Sequence, residues 1–275
     1  MICTNFSPPS YFIFSSDVPA LLYYSHIPTA IITLLLGVFV FWGNKNLLSK
    51  ILLSLSVTFS LWLFINLITW TNINSDIIMF VYPLFGILIP IIYILCLYFV
   101  YVFIDKKDIN FRLKLFLGLI LSFATVFSYK NATGFDLVNC EAIEGGWYSI
   151  HFLFGLELFF SLWILVYGIY KYAKEKTGFK KQILLLITGI ELFLFSFFFT
   201  GFLASYLAKK AIIDVDYSIE FYGLFGMTFF MGVLAFMIVK FKTFHIKLLG
   251  VQALVVTLVV LIGSQFAFIR NNTNK

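Results

Sequence analysis

Charge is what this sequence has least of. Asp, Glu, Lys and Arg make up 12% of its 275 residues, about half the share found in a typical soluble domain. With 61% hydrophobic residues and a mean hydropathy of +1.00, a water-soluble fold of this length is excluded, because it has too little polar surface to cover its apolar mass. Catalytic signatures are missing as well. There is no phosphate-cradling Gly-rich loop ending in Gly-Lys-Ser or Gly-Lys-Thr, no His-Glu-x-x-His helix, no Gly-x-Ser-x-Gly elbow and no Cys-x-x-Cys pair. The three histidines, His26, His151 and His245, are scattered along the chain, so no metal site and no cofactor is expected. Of the three cysteines, Cys3 and Cys140 fall in segments expected outside the membrane and Cys96 inside a span; one Cys3–Cys140 bridge is permitted. The first residues lack the basic start and cleavage site of a signal peptide, and no internal repeat is present.

What the chain has is long apolar runs. A bilayer core of about 30 Å needs roughly 20 apolar residues per helix, and runs of that length lie near 20–43, 46–70, 77–104, 113–129, 147–170, 182–207, 219–239 and 248–269. Their length excludes the short alternating strands of an outer-membrane barrel. The expected architecture is therefore all-α, a polytopic bundle of about eight transmembrane helices. It divides into a short outer segment (1–19), a seven-helix region (20–247), an eighth helix (248–269) and a polar tail (270–275).

The net charge of +6 comes from short basic clusters between apolar runs rather than from a nucleic-acid-binding face. Fourteen of the nineteen basic residues occupy one alternate set of loops, around Lys45 and Lys50, Lys106 to Lys114, Lys171 to Lys181 and Lys240 to Lys247. The opposite set, with both termini, holds five. Lys and Arg are retained on the cytoplasmic side, so a multi-pass cell-membrane protein with both termini outside is expected.

Ionisable groups inside a membrane are costly and face the bundle interior. Glu157 and Glu191 lie about 14–15 Å from opposite ends of successive antiparallel helices, at 1.5 Å per residue. Two carboxylates sharing a site cannot both stay ionised, which points to a proton- or cation-dependent switch; the alternative is a neutral carboxyl bonded to a helix carbonyl, to Ser161 or to Thr188. Pro83, Gly86, Pro90 and Tyr93 fall along one face of the third helix. The prolines bend it, either as a passive kink or to open a pocket lined by Tyr82, Phe85 and Tyr93. Gly223 and Gly226 allow close helix packing. The loop from Lys130 to Trp147 leads to Trp147 and His151, which form either a lid over an outward pocket or an ordinary interfacial anchor.

The stretch from Gly223 to Leu249, and within it Ala235 to Lys247, resembles the end of the seven-helix N-terminal sensor region of some bacterial histidine kinases. Val239-Lys240-Phe241-Lys242-Thr243-Phe244-His245-Ile246-Lys247 keeps that family's spacing. His245 stands where members often carry Asp, and no phosphoacceptor box or nucleotide-binding box follows. Lys240, Lys242 and Lys247 would anchor the inner end of helix seven among anionic headgroups. The resemblance implies a sensor module without its kinase, binding an unknown stimulus at Glu157, Glu191, Tyr93, Trp147 or His151. Its expected partners are the bilayer, a cytoplasmic signalling partner or missing output domain, and a second copy as a homodimer. A small transporter or channel using the midplane carboxyls is the alternative, and a lipid-modifying membrane enzyme a third reading.

The charge split is directly testable. In whole cells, a membrane-impermeant thiol reagent should modify Asn131→Cys and leave His245→Cys untouched; labelling of position 245 from outside reverses the orientation.

Overall fold

A computed structural model describes residues 20–137, 140–144, 146–209 and 222–241. The helices are α1 (Ala20–Gly43), α2 (Leu47–Thr71), α3 (Ser75–Val81), α4 (Phe85–Asp105), α5 (Phe111–Phe127), α6 (Phe154–Lys174), α7 (Lys180–Lys209) and α8 (Phe225–Phe241). Among the described residues six helical stretches are long and apolar enough to cross a membrane, with α8 a shorter apolar helix. The protein is thus a multi-pass helical membrane bundle, as the apolar runs require. The expected eighth span at 248–269, the segments 1–19 and 270–275, and Cys3, Lys242, His245 and Lys247 lie outside the described residues.

Short polar punctuation sets the helix ends. Asn46, Asn74 and Asn110 cap α2, α3 and α5 by accepting backbone N–H bonds through their side chains, supplying partners for donors that an α-helix leaves orphaned. At the far end of α4, Lys106 turns left-handed (φ 56°) and closes the helix on the Val102 carbonyl. The third span expected from the sequence is one helical stretch, Ser75–Asp105, with a 3-10 turn inside it. α3 ends at Val81, a 3-10 turn over Tyr82–Leu84 carries Pro83, and α4 then contains Pro90.

Two local structures at the opposite end of the bundle from the lysine-rich loops have no counterpart in the sequence reading. The polar connection after α5 folds as an antiparallel hairpin of β1 (Ala132–Asp136) and β2 (Glu141–Glu144), with Asp136 opposite Glu141. The chain then enters α6 through a π-helical turn, Tyr148–Leu153. Cys140, in the hairpin turn, is disulfide-bonded, and Cys96 is free and buried.

The core lies where α2, α4, α7 and α8 meet. Phe193 sets its ring edge-on to Phe59 at 5.2 Å and parallel to Phe230 at 6.3 Å, and Phe99 meets Phe230 edge-on at 6.3 Å. α5 is peripheral, with only Leu117 and Ala124 buried. Glycines bring backbones together at three places. A Cβ on Gly37 would stand 2.5 Å from Ser56 Oγ, one on Gly223 2.9 Å from the Ser196 carbonyl, and one on Gly226 3.0 Å from both the Leu192 carbonyl and Phe193 Cα.

This packing separates glycines that look alike in sequence. Gly226→Ala drives a methyl into the α7 backbone and should cost about 1–3 kcal/mol, the scale of overpacking. Gly232, which has nothing within 4 Å of an added Cβ, should gain stability as Ala through helix propensity. Thermal unfolding in detergent, followed by circular dichroism, distinguishes the opposite signs.

Candidate functional site

On α6 one stripe is buried: Leu156, Glu157, Phe160, Ser161, Ile164 and Gly168. Their spacing of three and four residues turns one helical face inward, and Glu157 and Ser161 share it. Tyr93, fully buried on α4, places its hydroxyl 3.2 Å from Glu157 Oε2 and 3.2 Å from the Leu194 carbonyl of α7. One hydroxyl thus links three spans. A single proton serves two acceptors there, so when Glu157 carries a proton of its own it can donate to the tyrosine oxygen and leave the tyrosine proton for Leu194.

Glu191, on α7, is 7% exposed, and neither carboxylate oxygen has a hydrogen-bond partner among the described residues. The hydroxyl of Ser161 is likewise buried without a partner, and Thr188 faces outward. Neither hydroxyl anticipated from the sequence engages its glutamate. Glu191 does stand within electrostatic reach of Cys96 and Tyr93.

The helix register explains why the two carboxyls are not a pair. Gly168 packs against Ile187, and Phe154 meets Phe198 and Phe202, so α6 and α7 run antiparallel with Glu157 opposite position 198 and Glu191 opposite position 164. Seven residues separate those levels, about 10 Å at 1.5 Å per residue. Tyr93 lies between them.

Trp147 and His151 occupy a different place. With Ile120, Phe152, Gly155, Leu156 and Phe159 they line a shallow, open groove of about 340 Å³ between α5 and α6. Both are exposed, and Trp147 stacks on Phe152 at 5.8 Å. The groove shares no residue with the buried Tyr93–Glu157–Glu191 cluster. Tyr82 and Phe85 do touch, their rings edge-on at 5.4 Å, but Tyr82 turns to the hairpin and donates to Glu144 Oε1 at 2.6 Å. Pro83 opens the 3-10 turn and Pro90 lies within α4. Lys240 falls in the last turn of α8.

Three polar groups at this level of organisation escaped the sequence reading. His26 is buried in α1, with Nε2 2.9 Å from Asn66 Oδ1 of α2 and Nδ1 2.9 Å from the Leu22 carbonyl; Asn66, a lone amide in an apolar run, was its available signal. On the hairpin, burial first and then Asp136 and Glu144 raise the pKa of Glu141 above the ordinary carboxyl range. A group whose folded pKa is raised makes the fold less stable as pH climbs through it, so the hairpin tightens toward acid. At the lysine-rich end Asp105 accepts from Lys171 and ties α4 to α6. No group of side chains suited to a metal ion occurs among the described residues.

The unequal partnering of the two acids predicts unequal mutant effects. Glu191→Leu removes a buried polar group without orphaning another and should be neutral or stabilising, whereas Tyr93→Phe strips Glu157 of its partner at a cost of about 1–3 kcal/mol. Both Glu→Gln changes should fold, and Glu191→Lys should not. Thermal unfolding of the purified variants provides the check; a large loss in Glu191→Leu shows that the carboxyl has a partner.

Comparison with protein-family models, with curated proteins and with solved structures finds no match to this chain.

Proposed function

We propose that this protein is a multi-pass membrane sensory module in which the stimulus acts on the buried Tyr93–Glu157–Glu191 cluster. The observation that carries the reading is Glu191, a carboxyl sequestered in the bundle with both oxygens unpartnered. A carboxyl so placed is stable when it holds a proton or a cation and unstable otherwise, so its occupancy is coupled to the arrangement of the helices around it. Tyr93 supplies the means, because its hydroxyl touches α6 and α7 from α4. A change of protonation at Glu157 redistributes those bonds and with them the balance between two packings. Only a stimulus that binds the two packings with different affinity shifts them.

The resemblance of Ala235 to Lys247 to the sensor region of histidine kinases supports the same reading, with the signal passing to an output partner or domain on the lysine-rich face. Fourteen basic residues in those loops give that face the charge for an acidic partner or for anionic headgroups, each Lys contributing about 1 kcal/mol near such a surface. Signalling in this scheme involves no catalysis by the chain, and the module acts singly or as a homodimer.

Purified full-length protein should show no ATP hydrolysis, no autophosphorylation and no lipid turnover. Its tryptophan fluorescence should titrate reversibly with pH, and Glu157→Gln should flatten that titration. An enzymatic activity abolished by a change at His151, His245 or either glutamate sinks the proposal in favour of an enzyme. Sustained ion flux through proteoliposomes, lost in Glu191→Gln, replaces it with a carrier or channel.

A further inference from the structure

We infer that the groove between α5 and α6 binds one acyl chain of a phospholipid from the hairpin-side leaflet, with the lipid's phosphate held at the mouth by Lys130, His151 and Trp147. The site is separate from the buried cluster, and the inference does not depend on the sensory reading.

Two facing helical stripes, large at their ends and small between, create the groove. On α5, Phe116, Ile120 and Phe123 follow at intervals of four and three and so share one face. Phe152, Gly155, Phe159 and Trp163, on the π-helical turn and α6, follow at three and four. Rings bridge the two helices at both ends: Phe123 meets Phe152 at 4.9 Å, and Phe116 meets Trp163 at 6.3 Å. Between the bridges stand Ile120 on one side and Gly155 on the other, and a Cβ on Gly155 would meet nothing within 4 Å. Helices propped apart by rings on either side of a glycine leave the space of about 340 Å³. The bridges are seven residues apart on α5 and eleven on α6, about 10–16 Å, the scale of one leaflet of a core about 30 Å thick.

The lysines fix its depth. Twenty residues separate His151 from Lys171 in the last turn of α6, about 30 Å along a helix. His151 therefore lies at headgroup level on the hairpin side, and Phe159, eight residues on, about 12 Å inside the core. Because α5 buries only Leu117 and Ala124, the groove is continuous with the surface that the bundle presents to lipid. A gap lined by apolar side chains holds no water of its own, and hydrocarbon is the neighbour able to enter it.

The mouth supplies hydrogen-bond donors. Lys130 holds its ammonium over the Phe127 ring at 5.5 Å, Phe127 packs on Phe123 at 4.6 Å, and Phe123 meets Trp147 at 6.1 Å. The cation thus stands within two rings of the groove. Among the described residues Lys130 makes no salt bridge, and the side chains of His151 and Trp147 make no hydrogen bond. Lys and Trp only donate, and His donates from at least one ring nitrogen. A phosphate, anionic and rich in acceptor oxygens, is the lipid group that complements all three.

The test uses the full chain in dodecyl maltoside micelles, which contain no phosphate. A phosphatidylglycerol with a photoactivatable diazirine midway along one acyl chain is added, and its adducts are mapped by mass spectrometry. Saturable adducts are expected within 116–123 of α5 and 152–159 of α6, displaced by unlabelled phosphatidylglycerol and not by a diacylglycerol with the same chains. Gly155→Phe puts a ring into the groove from a position where an added Cβ strikes nothing; it should remove these adducts and leave thermal stability intact. Lys130→Gln, on the surface, keeps the inference testable if that variant folds poorly. It should weaken phosphatidylglycerol binding about fivefold, the equivalent of about 1 kcal/mol for one Lys beside an anionic headgroup. Adducts spread evenly over the lipid-facing helices, and unchanged in Gly155→Phe, overturn the site. Equal displacement by diacylglycerol overturns the phosphate contact and with it the assignment to a phospholipid. Gly155→Cys forming chain-to-chain disulfides in membranes, with no lipid adduct at the groove, gives it to a second copy and likewise overturns the inference.

Discussion

The hydroxyl of Tyr148 sits 2.8 Å from the Gly86 carbonyl of α4 and 2.7 Å from the Ala124 carbonyl of α5, and the organisation of the hairpin half of the bundle follows from that contact. In hydrocarbon every backbone carbonyl must find a donor inside the protein. Pro90 has no N–H and so leaves the carbonyl four residues earlier, Gly86, without its helical donor. At the end of α5 the Ser128 amide bonds to Thr125 rather than to Ala124, leaving a second carbonyl outside the ladder. One tyrosine approaches both. It can do so because Gly86 has no side chain: a Cβ there would stand 3.0 Å from Tyr148 Cε1. Tyr148 is also the first residue of the π-helical turn. The same pin therefore fixes where α6 begins and which face of it, carrying Glu157, meets Tyr93.

Most of the architecture is legible in the sequence because bilayer thickness and backbone satisfaction leave few choices. Long apolar runs with hardly a charge become spanning helices, and the starts expected at 46, 77 and 113 fall within three residues of the asparagines that cap α2, α3 and α5. The hairpin is not legible in that way. Ala132–Asp136 and Glu141–Glu144 are short, polar and mixed with glycine, and their pairing is set by docking against α3 rather than by an alternating pattern. Depth arithmetic brought Glu157 and Glu191 to matching heights, and both do lie buried in the bundle. It failed on their pairing because the π-helical turn and the register of Gly168 against Ile187 offset the two helices by two turns. His26 is hidden for a different reason: a histidine near the start of a span carries no local sign of burial, and the partner that lets it be buried, Asn66, lies forty residues away.

Separating the acids changes what the cluster can do. Two carboxylates in contact would act as one proton store with strongly coupled steps. Held about 10 Å apart, with a tyrosine between them, they are two loads on two different helices, each felt by Tyr93. A movement that favours the Tyr93–Leu194 bond over the Tyr93–Glu157 bond bears on both.

On the proposed sensory reading, the energetic requirement of a switch makes that arrangement consequential. Reversing a two-state equilibrium from 1:99 to 99:1 takes about 5.5 kcal/mol of differential binding, and each unit by which a group's pKa differs between states supplies about 1.4 kcal/mol. One carboxyl would need its pKa to differ by about four units between two packings of the same bundle, near the extreme recorded for fully buried groups. Two carboxyls require about two units each, within what the gain or loss of one buried hydrogen bond and a neighbouring charge provides. A bundle that uses single protons as its stimulus is thus better served by two separated acids, one of them bonded to Tyr93, than by one acid or by a fused pair. The offset register of α6 and α7 is the feature of this fold that keeps them separate.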